Sequence, residues 1–122
     1  MAKWAWRYIY ELQCGRMVRF KPRGNSMTPI IESGQRVTVR PISPAPYEDI
    51  DRGDVVLCAV NGKQYLHLVT DVDREKGSYQ ISNNHGHING WIGRDAIYGK
   101  LCEIDGVWLK KENKDENKTE SQ

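Results

Sequence analysis

No apolar run in this 122-residue chain approaches the roughly 18 residues that a membrane-spanning helix needs, so the sequence predicts no membrane partner. The opening stretch MAKWAWRYIYELQCG has one early Lys but neither an apolar h-region nor a small-residue cleavage site, and it reads poorly as a signal peptide. Cysteine is scarce and odd in number. Cys14, Cys58 and Cys102 show no C-x-x-C spacing, which argues against a disulfide framework and fits a reducing compartment. The expectation is a soluble, cytoplasmic protein. No charge of one sign dominates either: 18 Lys and Arg stand against 16 Asp and Glu, a net charge of +2. Nucleic acid is therefore not expected as a partner of the chain on its own. Arg16, Arg19, Lys21 and Arg23 concentrate positive charge in one short segment, which reads as a solvated strand face. His85 and His87 form an H-x-H pair without close further ligands, too sparse for zinc, and no metal or cofactor is expected.

What is present is strand-like. MVRFKP (17–22) alternates and stops at Pro22, and QRVTVRPI (35–42) alternates around Val37 and Val39. GDVVLCAV (53–60) is an unbroken apolar run of buried-strand length, joined by an Asn61-Gly62 hairpin signal to KQYLHLVTDV (63–72). EKGSYQISN (75–83) reads as a turn and strand, and AIYGKLCEIDGVWLKK (96–111) as two short strands around Asp105-Gly106. Six or more short strands predict a mainly β, barrel-like fold over residues 16–109. SPAPYEDIDRG (43–53) and NNHGHINGW (83–91) read as loops. The tail, 110–122, holds no apolar residue and is expected to be disordered. The aromatic arm, 1–15, fits either a strand (Trp4, Trp6, Tyr8, Tyr10) or helix faces (Trp4, Tyr8, Glu11; Ala5, Ile9, Leu12). It either docks on its own domain or packs against a second copy, which would make a homodimer.

The segment GNSMTPIIESG (24–34) sets a lone serine on a Gly-Asn turn. Ser26 could cap a helix over MTPIIES. It could equally be an exposed nucleophile, with the amides of Ser26 and Met27, beside Asn25, forming an oxyanion site or cleft. The surroundings carry a resemblance. Ser26-Met27-x-Pro29, Gly34 before the Val37/Val39 strand, Arg52-Gly53-Asp54-Val55-Val56 and the following hairpin resemble the LexA-like and signal-peptidase superfamily of serine peptidases over residues 18 to about 104.

The resemblance implies a LexA/signal-peptidase-like β fold and a hydrolase with Ser26 as nucleophile. The base in that superfamily lies on the strand after the hairpin. It is Lys in the LexA-like and bacterial branches and His in the eukaryotic and archaeal signal-peptidase branch. His67, in QYLHLV, stands at that position, and an ordinary imidazole is already neutral at physiological pH. Lys63, at the turn, is a poor substitute. The third member of the His-type site, an Asp, has no match in QISNNHGHINGW. Asn83 and Asn84 could orient the imidazole without giving it a counter-charge, Asn84 and His85 could line the cleft and bind substrate backbone, and Asp54 and Asp71 are further candidates. The implied partner is an extended peptide or protein with small residues beside the scissile bond. Without an anchor or a helix-turn-helix domain, the chain is expected to be an isolated peptidase-type domain, similar to phage- or mobile-element-associated relatives. The alternative is an inactive peptide-binding or dimerisation module of a phage-repressor-like regulator. Self-cleaving relatives cut Ala-Gly or Cys-Gly bonds. Cys14-Gly15 is such a pair, but only ten residues separate it from Ser26, and a helix end with Gly at C′ is the plainer reading.

Overall fold

The computed structural model describes residues 4–42 and 50–109; the tail at 110–122, residues 1–3 of the arm and most of the 43–53 loop lie outside the described residues. The arm is a helix, α1 (Trp6–Gln13), whose Ile9 and Leu12 are buried together with Ala5. Its end satisfies the last carbonyls in a Schellman arrangement: Arg16 N–H donates to Glu11 O at 2.9 Å and Gly15 N–H to Leu12 O at 2.9 Å. Gly15 takes φ +86°, the left-handed value that a glycine adopts without strain. The Cys14-Gly15 pair is thus a helix terminus, and the arm docks on its own domain.

Among the described residues eight strands follow: β1 (Val18–Phe20), β2 (Val37–Pro41), β3 (Val55–Val60), β4 (Lys63–Asp73), β5 (Ser78–Ser82), β6 (Ile88–Gly93), β7 (Ile97–Ile104) and β8 (Val107–Trp108). All pair antiparallel in one sheet of order β1-β2-β7-β3-β4-β5-β6, with β8 on β7. The expected closure into a barrel does not occur. Among the described residues β1 and β6 are not bonded to each other. β1 is only three residues long and runs into Pro22, which has no N–H to donate, and Phe20 faces a cavity rather than another strand. The segment expected as a loop at 83–91 also contains the start of β6, the outermost strand.

The unbroken apolar run of β3 is explained by burial on both faces. Val55 and Leu57 join a cluster with α1, β1, β2, Met27 and Ile31, while Val56, Cys58 and Val60 join a second cluster with Val69, Tyr79, Ile81 and Ile97. Neighbouring β7 admits the helix through Gly99. A Cβ there would lie 2.7 Å from the Arg40 carbonyl oxygen and 3.0 Å from Leu12 Cδ1. Both two-residue hairpins have positive φ at each central residue, Asn61 and Gly62, then Asp105 and Gly106, which matches the twist of the strands they join.

Candidate active site

β1 gives way to a turn that reverses at Gly24, whose φ of +95° favours glycine. No helix follows Ser26, so the capping role has nothing to cap. The chain bends at 24–25 and residues 26–30 form successive turns, with Thr28 N–H donating to Asn25 O at 3.2 Å and Ile31 N–H to Met27 O at 3.0 Å. Buried Met27 and Ile31 anchor the segment in the first core cluster. Ser26 itself stays partly exposed.

The turn is latched from outside by NNHG. Asn84 donates from its backbone to Ser26 O at 2.8 Å and from Nδ2 to Thr28 O at 2.9 Å. His85 Nε2 donates to Asn25 O at 3.0 Å and lies 3.1 Å from Thr28 Oγ1. Asn83 Oδ1 accepts from the amides of His85 and His87 at 2.8 and 3.0 Å, which folds the latch on itself. Asn83, Asn84 and His85 therefore hold the serine turn and do not orient the imidazole. Asp54 is also elsewhere: its Oδ2 accepts from Asp51 N–H at 2.9 Å and lies 3.3 Å from the buried Lys100 ammonium. Asp71 is engaged by Arg52 at 2.9 Å.

His67 lies on β4 opposite Val56 and is only 7 % exposed. Its Nε2 is 3.2 Å from Ser26 Oγ, and its Nδ1 is 2.7 Å from Asn89 Oδ1. The amide oxygen can only accept, so Nδ1 carries the proton and the Nε2 lone pair faces the serine hydroxyl. Asn89 arrives by a register shift. In the β5–β6 pairing Gly90 faces Ile81 and Ile88 faces Ser82, which leaves Asn89 as an extra residue. Bulges of this kind re-aim a side chain. Gly90, at φ +148°, passes close to β3, where a Cβ would meet Val60 Cγ1 at 3.1 Å. Sequence reasoning missed Asn89, although a glycine inside a strand-like stretch is a bulge signal.

Burial lowers the His67 pKa below the ordinary 6.5; the Asn89 hydrogen bond opposes this, and the neighbouring His87 adds to it. The imidazole is neutral at pH 7. Tyr65 stacks on it with ring centroids 4.7 Å apart.

Ser26 and His67 open on a cavity of about 630 Å³. Two strand edges border it. Among the described residues β1 pairs only with β2, and β5 covers β4 only from Leu68 onward, so no described strand covers residues 63–67 of β4 on the side away from β3. The Gln64 carbonyl on that side accepts from Trp4 Nε1 at 3.2 Å. Backbone groups two residues apart on a strand point the same way, so the N–H and C=O of Leu66 also face the cavity edge. Among the described residues the amides of Ser26 and Met27 have no hydrogen-bond partner.

Elsewhere the chemistry is quiet. Among the described residues no three His, Cys, Asp or Glu side chains converge on a point that could hold a metal, and no helix is long and apolar enough to cross a membrane. Cys58 is buried and its thiol pKa is pushed up to about 12 by desolvation. No protein-family model matches the chain, and no curated protein matches it.

Proposed function

We propose that the chain is a serine peptidase of the LexA/signal-peptidase kind, with Ser26 as nucleophile, His67 as general base and Asn89 as the residue that positions the imidazole. One observation carries this reading: a single neutral imidazole lies 3.2 Å from a serine hydroxyl through Nε2 and 2.7 Å from a side-chain acceptor through Nδ1. That is the geometry general-base activation of an alcohol requires.

In the proposed reaction Ser26 Oγ attacks a peptide carbonyl as its proton passes to His67 Nε2. The tetrahedral oxyanion is stabilised by the unpaired amides of Ser26 and Met27. The imidazolium then protonates the departing amine, and water, activated by the same nitrogen, hydrolyses the acyl-enzyme. The peptide lies extended along the open edge of β4, where the backbone of Leu66 provides a hydrogen-bonding position. No cofactor is needed for these steps.

A second reading, a peptide-binding module without catalysis, is favoured by the character of Asn89. An amide orients the imidazole but supplies no charge to stabilise imidazolium. Fluorophosphonate labelling read by intact mass separates the two. The peptidase reading expects one adduct, on Ser26, lost in Ser26→Ala and His67→Ala. Absence of the adduct in folded wild-type chain would leave the binding module.

A further inference from the structure

We infer that the cavity beside Ser26 is a pocket for a bulky apolar side chain of the peptide, Leu or Phe in size, and that the chain's own N-terminal segment forms its wall. The inference rests on the peptidase reading for its substrate class and on the cavity for its selectivity. The superfamily resemblance implies small residues beside the scissile bond, and this cavity has far more room than a methyl group needs. The cavity as a whole, from Trp4 to His67, holds about 630 Å³, within the roughly 300–1,000 Å³ typical of pockets that bury a small-molecule ligand.

The buried part of the lining is apolar, while exposed Lys21 and Arg23 line the cavity as well. Phe20, Met27, Ile31 and Leu66 are buried core residues that also face the cavity. Tyr8 stacks on Phe20 with centroids 4.4 Å apart and planes 15° from parallel, and Trp4 leans on the same ring at 5.7 Å. Trp4 is held in this position from across the cleft. Its indole N–H donates to Gln64 O, and the adjoining Ala5 amide donates to Gln64 Oε1 at 3.3 Å. Two bonds to one residue of the open β4 edge thus fasten the N-terminal segment as a wall. A methyl group entering this space would leave most of the wall without contact. An isobutyl or benzyl group would gain dispersion and desolvation along it.

The test uses the full chain and a series of N-acetylated aminoalkyl phosphonate diphenyl esters with Gly, Ala, Leu or Phe side chains, with Ser26 modification followed by intact mass. The Leu or Phe reagent is expected to react at least about 10-fold faster than the Ala reagent, since one methylene in an apolar pocket discriminates by about 10–200-fold. In parallel, N-acetyl-Phe-amide and N-acetyl-Ala-amide are titrated into the Ser26→Ala chain, with the Trp4 indole N–H signal as readout, assigned by its loss in Trp4→Ala. The Phe compound is expected to shift that signal at concentrations where the Ala compound does not. In Trp4→Ala the Phe-over-Ala rate ratio is expected to fall toward one; an unchanged ratio overturns the N-terminal wall. Equal rates across the series, or Ala and Gly fastest, overturn the pocket while the nucleophile stands. A Phe-selective shift of Trp4 without any Ser26 adduct removes the nucleophile and keeps the pocket. If neither readout responds, both fall.

Discussion

Replacing Asn89 with Asp should turn a positioning contact into a charged one, and its consequence for pH can be worked through. In the wild type the imidazole is desolvated, and the neutral amide at 2.7 Å offsets this only in part, so its pKa lies below 6.5. A carboxylate at the same distance from Nδ1 adds an opposite charge, which raises a neighbouring pKa by about 1–3 units. Each unit corresponds to about 1.4 kcal/mol of preference for imidazolium. The substitution therefore has two opposed effects on Ser26. At pH 5–6 the base is protonated and labelling slows. At pH 8–9 the base is free again, and the imidazolium that develops in the transition state is stabilised, so labelling should exceed the wild-type rate, by at most about tenfold for each unit because the proton is only partly transferred. The two rate–pH curves should cross. The assay is the fluorophosphonate rate from pH 4.5 to 9 for both chains, with the His67 ring-proton NMR titration as a measure of pKa that does not require catalysis. An Asn89→Asp titration midpoint equal to or below the wild-type midpoint would mean that Asn89 does not face Nδ1, and the tautomer argument would fail with it.

Two further outcomes follow from burial. The depressed His67 pKa means that on acidification the unfolded chain takes up this proton before the folded one does, so the His67 contribution is intact above about pH 6.5 and is lost as pH falls through the lower folded-state value. Thermal unfolding should thus lose stability between pH 7 and pH 5 more steeply in wild type than in His67→Gln, and parallel slopes would contradict the assignment. Native alkylation with iodoacetamide at pH 8 should modify exposed Cys14 and spare Cys58, whose thiol is buried with its pKa raised to about 12; modification of Cys58 at a rate comparable to Cys14 would show that β3 opens readily.

The sequence makes legible those features whose cause is local. Alternation placed β1 and β2, the double-sided burial of β3 appeared as an unbroken run, and Asn61-Gly62 and Asp105-Gly106 marked their hairpins because both central positions need left-handed backbone. The arm was ambiguous since alternating aromatics satisfy both periods. Burial decided it: Ala5, Ile9 and Leu12 fit one helical stripe against the sheet, which Gly99 lets approach. Sheet closure was not legible, because whether the first and last strands meet depends on the accumulated curl and on strand lengths, and a three-residue β1 ending at a proline has little edge to offer.

The site was half legible for the same reason. Ser26 and His67 are 41 residues apart and meet at 3.2 Å, a pairing that spacing alone does not predict and that the superfamily resemblance supplied. Asp54, Asp71, Asn83 and Asn84 stand out in the sequence as side chains able to accept from an imidazole N–H, yet in the fold each is engaged elsewhere. What selects Asn89 is a shift of register. Without the extra residue, the pairing of Ile81 with Gly90 would run on to place Asn89 opposite Ser82, as an ordinary ladder position. With it, Asn89 is released from the ladder and turned to the imidazole at 2.7 Å, while Gly90 accommodates the close pass over Val60. The same shift leaves the preceding NNHG free to latch the serine turn through Asn84 and His85. One bulge thus bears on both halves of the candidate site, the position of Ser26 and the tautomer of His67. Gly90→Val, which would force a Cβ against Val60, should therefore disturb the His67 titration and the Ser26 labelling rate together rather than either alone.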